Sequence, residues 1–291
     1  MIQIRNIRYV RLGTRNLEEA TRFATRIIGL QEAGRIGGSP GSQKAVYFRS
    51  DSRHHTLVYF EGDPSDQVVA FEVDEVGALK AAARQFAQQG LAPRIGSRDE
   101  CATRNVAAMI ALSDPSGNPL ELIVPARDTD AAFVAPRAAG IAGFGHVALR
   151  STDPARDEVF WTSLFGARVS DRIGNAPMLR FDEMHHRVAL LPASRPGIEH
   201  LAHNVGTIDD VMRAWNFLRD NGVRILFGPG REPTSTAIYL QFEGPDGMVF
   251  ELLTGAKMIS MEANHRPRHF PFAPRSFCMW GGKPDFSALG H

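Results

Sequence analysis

The chain has 291 residues, of which 43% are hydrophobic, and its net charge is +1 at pH 7. This length is enough for one large hydrophobic core or for two ordinary ones. A charge so close to zero speaks against nucleic acid or an anionic membrane as the partner, because both are attracted by a strongly basic surface, and it favours a small molecule.

The sequence does not predict export or membrane insertion. The N-terminal sequence MIQIRNIRYVRLG carries charges within its first dozen residues and lacks the apolar run of a secretory signal. No apolar stretch approaches the roughly 20 residues that a membrane helix needs. The two cysteines, Cys101 and Cys278, are far apart and have no CxxC spacing, which is typical of a reducing compartment. We therefore expect a cytoplasmic protein.

The first predicted strand and helix occur twice in the chain. IRYVRLGTRN (7–16) resembles FGHVALRSTD (144–153), and each is an alternating apolar strand that ends in a polar turn able to cap a helix. The segments that follow, LEEATRFATRIIGL and PARDEVFWTSLFGA, are amphipathic and end at a glycine. The first unit of each half is therefore predicted to begin with a strand and a helix.

Three further patterns recur in the same order, and all four lie 130 to 137 residues apart. The first is a histidine-containing strand, RHHTLV (53–58) and HHRVAL (185–190). The second is a strand followed by a helix, AFEVDEVGALKAAARQFAQQGL (70–91) and AHNVGTIDDVMRAWNFLRDNGV (202–223). The third is a Pro-x-Gly or Pro-Asp-Gly turn followed by a strand with a glutamate, DPSGNPLELIVP (114–125) and GPDGMVFELLTG (244–255). Four ordered repeats of this kind indicate an internal duplication.

The duplication predicts an α+β fold of two tandem domains, each made of two βαβββ units that form one curved mixed sheet. We expect an N-terminal domain over residues 1–130, a linker near 126–140 and a C-terminal domain over 140–255. An arm, residues 256–291, follows. The arm is rich in proline and aromatic residues and has neither a helical nor a strand period. It is predicted to pack over the second domain, and a role as a lid over a pocket stays open.

Comparison of the two copies identifies candidate metal ligands. Three residues in strands of the second copy are of types that bind metals: His146, His200 and Glu251. The matching positions of the first copy hold Tyr9, Val68 and Glu121. Two neutral imidazoles and a carboxylate can occupy one face of an octahedral Fe(II) or Mn(II) ion and leave the opposite face open. We therefore expect only the second copy to bind a metal. Strand side chains alternate, so His203 should point away from His200 and be structural.

These residues resemble the type I extradiol ring-cleaving dioxygenases (2,3-dihydroxybiphenyl dioxygenase-like) of the vicinal oxygen chelate superfamily. The resemblance covers roughly residues 5–255 and is carried by the following motifs: His146 in GFGHVALR, His186 in MHHRVAL, His200 in HLAHNV, GPGRE (228–232), IYLQFEGPDG (238–247) and Glu251. It implies two tandem domains of that superfamily and Fe(II), occasionally Mn(II), held by the three candidate ligands. It also implies a catechol-like aromatic diol and O₂ as substrates, and a homo-oligomeric protein.

Three positions that manage protons in this family fall on His186, Glu232 and Gln241. The histidine beside the O₂ site is retained as His186, whereas Glu232 replaces a histidine and Gln241 replaces a tyrosine. Tyr239 lies two residues before Gln241 on the same strand face and is a candidate substitute. Ring cleavage needs a base for the diol and a donor for the anionic oxygen. Glu232 can be that base if burial raises its pKa, whereas Gln241 donates a hydrogen bond without transferring a proton.

Three functions follow from this sequence. The first is Fe(II)-dependent extradiol cleavage of a catechol-like or polyhydroxylated aromatic, with His186 as acid–base and an altered set of proton-managing residues. The second is a metal-dependent isomerase, lyase or hydrolase that does not use O₂ and has Glu232 as its base. The third is a small-molecule binding protein without turnover. The retention of all three candidate ligands favours the first two functions over the third, and we expect the first.

Overall fold

The computed structural model describes residues 1–37, 43–126, 128 and 131–284. Residues 127, 129 and 130 of the predicted linker and 285–291 of the predicted arm lie outside this set. The strands of the first half form an eight-stranded sheet: β1 (Asn6–Thr14), β2 (Gln31–Ile36), β3 (Ala45–Arg49), β4 (Leu57–Glu61), β5 (Gln67–Glu72), β6 (Arg94–Ile95), β7 (Val106–Ser113) and β8 (Pro119–Pro125).

A second, nine-stranded sheet follows in the second half: β9 (Ile141–Ser151), β10 (Arg168–Ile173), β11 (Ala176–Arg180), β12 (Val188–Pro192), β13 (Gly197–Val205), β14 (Ile225–Arg231), β15 (Ile238–Glu243), β16 (Val249–Thr254) and β17 (Arg268–Phe270). The helices are α1 (Leu17–Arg22), which continues as a π-helix over Phe23–Ile28, α2 (Val76–Gln88), α3 (Arg98–Thr103), α4 (Pro154–Phe165) and α5 (Ile208–Asp220). Within the described ranges, no helix is both long and apolar enough to cross a membrane.

The two sheets have the same topology. Their strand orders are β2-β3-β4-β1-β5-β8-β7-β6 and β14-β15-β16-β13-β9-β12-β11-β10-β17. In each sheet the first strands of the two units pair antiparallel, and each of them pairs in parallel with the last strand of its own unit. The four predicted βαβββ units and the tandem mixed-sheet fold are therefore confirmed. Helix α3, between β6 and β7, is an addition to the second unit of the first half.

The capping residues explain where the helices begin and end. The side chain of Asp153 accepts a hydrogen bond from the backbone N–H of Arg156 at 3.1 Å, and Pro154 starts helix α4. Gly166 then ends the helix with φ at +62°, a left-handed conformation that favours glycine. In the first half Asn16 caps α1 in the same way, and Gly29 follows the π-helical turn with φ at +96°. These are the polar turns and glycines that the repeated pattern predicts.

The arm contains a strand that the sequence does not predict. Strand β17 pairs in parallel with β10 and extends the second sheet by one strand. The arm sequence has no strand period, yet Arg268–Phe270 forms a strand. A three-residue strand is too short to produce a period in the sequence, and its pairing with β10 is fixed by side-chain contacts from a distant part of the chain.

A cluster of aromatic rings joins the two halves. Trp161, in α4 of the second half, is completely buried, and its ring centroid lies 5.2 Å from that of Phe71 in β5 of the first half. Its ring also lies 5.0 Å from that of Phe165 and 6.1 Å from that of Phe181. The main hydrophobic core includes residues of both halves, which indicates that the two sheets stabilise each other.

We expect Trp161→Ala to lower the free energy of unfolding by about 3–5 kcal/mol, because it leaves a large cavity at the junction of the halves. The matched control is Val159→Ala in the same helix, since the Val159 side chain is 63% exposed. This control should change the free energy of unfolding by about 0.5 kcal/mol or less. The free energy of unfolding of each variant is measured by urea titration, monitored by far-ultraviolet circular dichroism, whose signal does not depend on the tryptophan. Equal losses in the two variants would contradict a special role for this junction.

Candidate metal centre

One face of the second sheet borders a cavity of about 470 Å³. This volume is in the range of small-molecule sites in proteins. Six residues that the sequence singles out line it: His146, His186, His200, Glu232, Tyr239 and Gln241. Apolar walls are contributed by Ile173, Met178 and Phe227, and the arm closes one side with Ser276, Phe277 and Pro284. The described part of the arm therefore packs over the second domain and also forms part of the cavity wall.

Strand pairing brings the three candidate ligands together. His200 of β13 is paired with Ala148 of β9, two residues beyond His146 on the same strand. Glu251 of β16 is paired with Ala202, two residues beyond His200. Side chains two residues apart lie on the same face of a strand. Three adjacent strands thus direct two imidazoles and a carboxylate to one point on the sheet.

The ligand atoms of these residues lie at coordination distances from one another. The Nε2 atoms of His146 and His200 are 3.1 Å apart, and Nε2 of His146 is 3.7 Å from Oε1 of Glu251. All three ligand atoms lie within 4.8 Å of one another. Two nitrogens bound at right angles to one ion at roughly 2.1 Å would be about 3 Å apart, so this arrangement fits a divalent ion.

The protonation states also fit a cation. Burial lowers the pKa of His200 to about 4, and burial together with the neighbouring histidines lowers the pKa of His146 well below its ordinary value. Both imidazoles are therefore neutral at pH 7, as metal ligands must be. Burial and the nearby Glu232 carboxyl raise the pKa of Glu251. A divalent cation would supply the positive charge that this pair of glutamates lacks.

Gln241 orients the glutamate. It lies opposite Glu251 in the β15–β16 pair, and its amide Nε2 donates a hydrogen bond of 2.8 Å to Oε2 of Glu251. The other carboxylate oxygen, Oε1, faces His146. Hydrogen-bonding partners of this kind fix the direction of a ligand. Glu251 itself is buried behind the cavity wall.

Glu232 lines the cavity and lies in the segment that follows β14. It is half-buried, and the hydroxyl of Ser235 donates a short hydrogen bond to its Oε2. Burial raises the pKa of Glu232, although the Ser235 hydrogen bond acts in the opposite direction. A general base at this position needs such a raised pKa.

Tyr239 and His186 have different surroundings. The hydroxyl of Tyr239 donates a hydrogen bond of 3.1 Å to the backbone carbonyl of Phe277 in the arm. The ring of His186 lies 4.2 Å from the ring of His146, measured between centroids, and borders the cavity directly. His186 is thus beside the candidate metal ligands, whereas the hydroxyl of Tyr239 is engaged by the arm.

The first half fills the equivalent position with side chains. Tyr9 donates a hydrogen bond of 2.7 Å to Oε2 of Glu121, and Nε of Arg104 donates one of 2.7 Å to Oε1. The strand registers match those of the second half, since Val68 is paired with Arg11 and Glu121 with Ala70. Both oxygens of this buried glutamate are therefore bonded, and the guanidinium group supplies the positive charge.

His203 lies apart from the cavity. It is completely buried, and its ring packs edge-on against Phe144 at 5.3 Å between centroids. The structural role predicted for it agrees with this position. Two contributors to the site are missed by sequence reasoning, Ser235 and Phe277. The only sequence signal for Ser235 is its position three residues after Glu232, and Phe277 has none.

Known proteins resemble this chain over most of its length. An iron-dependent extradiol dioxygenase of Rhodococcus jostii (strain RHA1) is 26% identical over 283 residues, which cover 90% of this chain and 93% of that protein. A biphenyl-2,3-diol 1,2-dioxygenase of Pseudomonas sp. (strain KKS102) is 28% identical over 265 residues, covering 85% and 88%. The predicted resemblance to extradiol dioxygenases is thereby confirmed.

The fold also matches a solved structure. Homoprotocatechuate 2,3-dioxygenase from Arthrobacter globiformis superposes with a TM-score of 0.89 at 20% sequence identity, covering 100% of this chain and 92% of that one. The family match extends over residues 6–122 and 143–252, one segment in each half. With both halves matched and the duplicated sheets in place, the chain belongs to the Glyoxalase/Bleomycin resistance protein/Dioxygenase superfamily.

Proposed function

We propose that this protein is an Fe(II)-dependent extradiol dioxygenase that cleaves the ring of a catechol-like or polyhydroxylated aromatic with O₂. The observation that carries the proposal is a cluster of three ligand atoms beside a cavity of about 470 Å³. The imidazole nitrogens of His146 and His200 and a carboxylate oxygen of Glu251 lie within 4.8 Å of one another. The relatives named above, which align with about nine-tenths of the chain, support Fe(II) as the metal and a diol as the substrate.

An ion held by His146, His200 and Glu251 would supply a Lewis acid that lowers the pKa of the diol hydroxyls. Glu232 is our candidate for the base that receives a hydroxyl proton, because burial raises the pKa of this residue and it lies at the cavity wall. The apolar side chains of Ile173, Met178 and Phe227 hold the aromatic ring and exclude water from it. His186, beside His146, is placed to hydrogen-bond an oxygen atom of a bound substrate.

Gln241 and Tyr239 are assigned supporting roles. The hydrogen bond from Gln241 to Glu251 favours a role in directing the carboxylate rather than in proton transfer. The hydrogen bond from Tyr239 to the backbone of Phe277 favours a role in holding the arm against the cavity. We infer that the tyrosine of the related dioxygenases has no direct replacement here.

The test is to load the purified protein with Fe(II) without oxygen, measure the iron content, and record O₂ consumption with a panel of catechols and trihydroxylated aromatics. We expect one bound iron per chain, one O₂ consumed per diol, and a yellow ring-opened product. Turnover that continues without oxygen would favour the isomerase, lyase or hydrolase. Iron-loaded protein that consumes no O₂ with any member of the panel would contradict the proposal. A homo-oligomeric state and a cytoplasmic location stay predictions.

A further inference from the structure

Two adjacent histidines connect the cavity to a buried aspartate. Nδ1 of His186 lies 3.1 Å from Nδ1 of His185, and Nε2 of His185 lies 2.9 Å from Oδ2 of Asp171. His185 and Asp171 are completely buried. With Nδ1 used in this way, the remaining ring nitrogen of His186, Nε2, is available to the cavity that this residue lines.

The arm holds the aspartate in place. The backbone N–H of Arg268 donates a hydrogen bond of 2.7 Å to Oδ1 of Asp171, and its guanidinium Nη2 donates one of 2.5 Å to Oδ2. Nη2 also donates to the backbone carbonyl of Thr234, in the segment that carries Glu232. Burial acts to raise the pKa of Asp171, but the hydrogen bonds from His185 and Arg268 outweigh it and lower the pKa to about 2. Asp171 is therefore ionised and can only accept hydrogen bonds.

The ionised acceptor Asp171 determines the direction of both hydrogen bonds in the series Asp171, His185 and His186. Because Asp171 only accepts, Nε2 of His185 must carry the hydrogen. Burial lowers the pKa of His185, so this ring is neutral and its Nδ1 has a lone pair. Nδ1 of His186 must then donate to it. Neutral His186 consequently has no hydrogen on Nε2, and the lone pair of that nitrogen faces the cavity.

The first half provides an internal comparison. It has the same histidine pair, and Nδ1 of His54 lies 2.9 Å from Nδ1 of His55. The second histidine of each pair packs on the residue at the first ligand position: His55 stacks on Tyr9, and His186 packs on His146. In the β2–β3 pair, however, Gly34 occupies the position that Asp171 occupies in the β10–β11 pair. The histidine pair is thus common to both copies, whereas the aspartate is found only where the candidate metal ligands are.

We propose that Asp171 and His185 are positioning residues that fix the tautomer of His186, so that its Nε2 presents a lone pair to the cavity. In this state Nε2 accepts a hydrogen bond from a hydroxyl group of the substrate. The effect on turnover rests on the proposed function, but the tautomer itself does not. Arg268 extends the same network to the arm, which therefore acts on the site through Asp171 as well as through the cavity wall.

The tautomer is measured directly by ¹⁵N NMR of the metal-free protein labelled at histidine, with long-range couplings between ring nitrogens and carbon-bound protons. We expect His185 to carry its hydrogen on Nε2 and His186 on Nδ1. In Asp171→Asn one of the two acceptor positions becomes a donor, and in either orientation it opposes a donor of Arg268, so the network loses the acceptor that fixes its direction. Both rings should then populate both tautomers. A hydrogen on Nε2 of His186 in the unmodified protein would overturn the proposal without any variant.

Turnover of a diol by the Fe(II)-loaded protein gives the second measurement. Asp171→Asn should lower kcat about 10- to 100-fold, while KM and the iron content change less than about twofold. The control is Asp182→Asn, an aspartate that pairs with Arg187 at 2.6 Å and, among the residues that the structure describes, has no hydrogen bond to a histidine ring. It should leave kcat and both tautomers unchanged. An unchanged kcat in Asp171→Asn would overturn the proposal. Failure of the unmodified protein to turn over any diol would instead contradict the proposed function, and the NMR result would still decide the tautomer.

Discussion

Replacing His146 with alanine should abolish metal binding and lower the turnover of a diol by at least about a thousandfold. The substitution removes one of the two histidine ligands of the candidate site, and loss of a Lewis acid that contributes several kcal/mol to the transition state corresponds to about this factor in rate. The remaining atoms, from His200 and Glu251, would not occupy a full face of the ion. Iron analysis and O₂ consumption, measured on protein with an unchanged circular dichroism spectrum, test this expectation.

The matched control lies in the first half of the chain. Tyr9 occupies the position of His146, and Tyr9→Phe removes only its hydrogen bond to Glu121. Because Arg104 still pairs with Glu121, we expect this variant to keep its iron and its activity. If His146→Ala retained one iron per chain, or if Tyr9→Phe lost it, the assignment of the metal to the second half would be wrong.

The second large effect is expected at Glu232. Glu232→Gln keeps the shape of the side chain and removes its ability to accept a proton, so we expect kcat to fall about 100-fold with the iron content unchanged. Glu232→His supplies the residue type that the resemblance places at this position, and it should recover most of the lost rate. Steady-state kinetics of the iron-loaded variants measure both effects.

Another carboxylate of the same cavity is the control. Glu243 lines the cavity but pairs with Arg224 at 3.4 Å, and its side chain is 38% exposed. Glu243→Gln should change kcat less than about twofold. Equal losses in Glu232→Gln and Glu243→Gln would indicate that the charge of the cavity matters and that Glu232 is not the base.

The repeat made most of the fold predictable. Helix caps such as Asn16 and Asp153 and the glycines that end the helices are local signals, and each is repeated at the same place in the second half. The candidate metal ligands were predictable for a different reason. They are strand residues, and two matching copies of the strand pattern show which positions differ between them. The pairing of β9, β13 and β16 then follows from the topology.

The remaining parts of the site depend on contacts that leave no local pattern. Asp171 lies in a short strand with mixed polarity, and only the register of β10 with β17 places Arg268 beside it. Phe277 approaches Tyr239 from the arm, 38 residues further along the chain. Arg104 is one residue of a turn between α3 and β7, so its pairing with Glu121 is visible only in three dimensions. Long-range side-chain contacts of this kind are set by tertiary packing, which sequence periods do not report.

The pairing of Arg104 with Glu121 also has a consequence for how the two halves depend on their surroundings. A buried carboxylate needs a counter-ion, and the first half encodes one in its own sequence, so its charge balance is complete as soon as the chain folds. In the second half the carboxyl nearest to the buried Glu251 is another glutamate, Glu232, and Arg224, which lines the cavity, pairs with Glu243 instead. Because the two halves share one hydrophobic core, we expect bound iron to raise the thermal stability of the whole molecule, although it binds only to the second half. The folded fraction of the protein would thus depend on the supply of a single element.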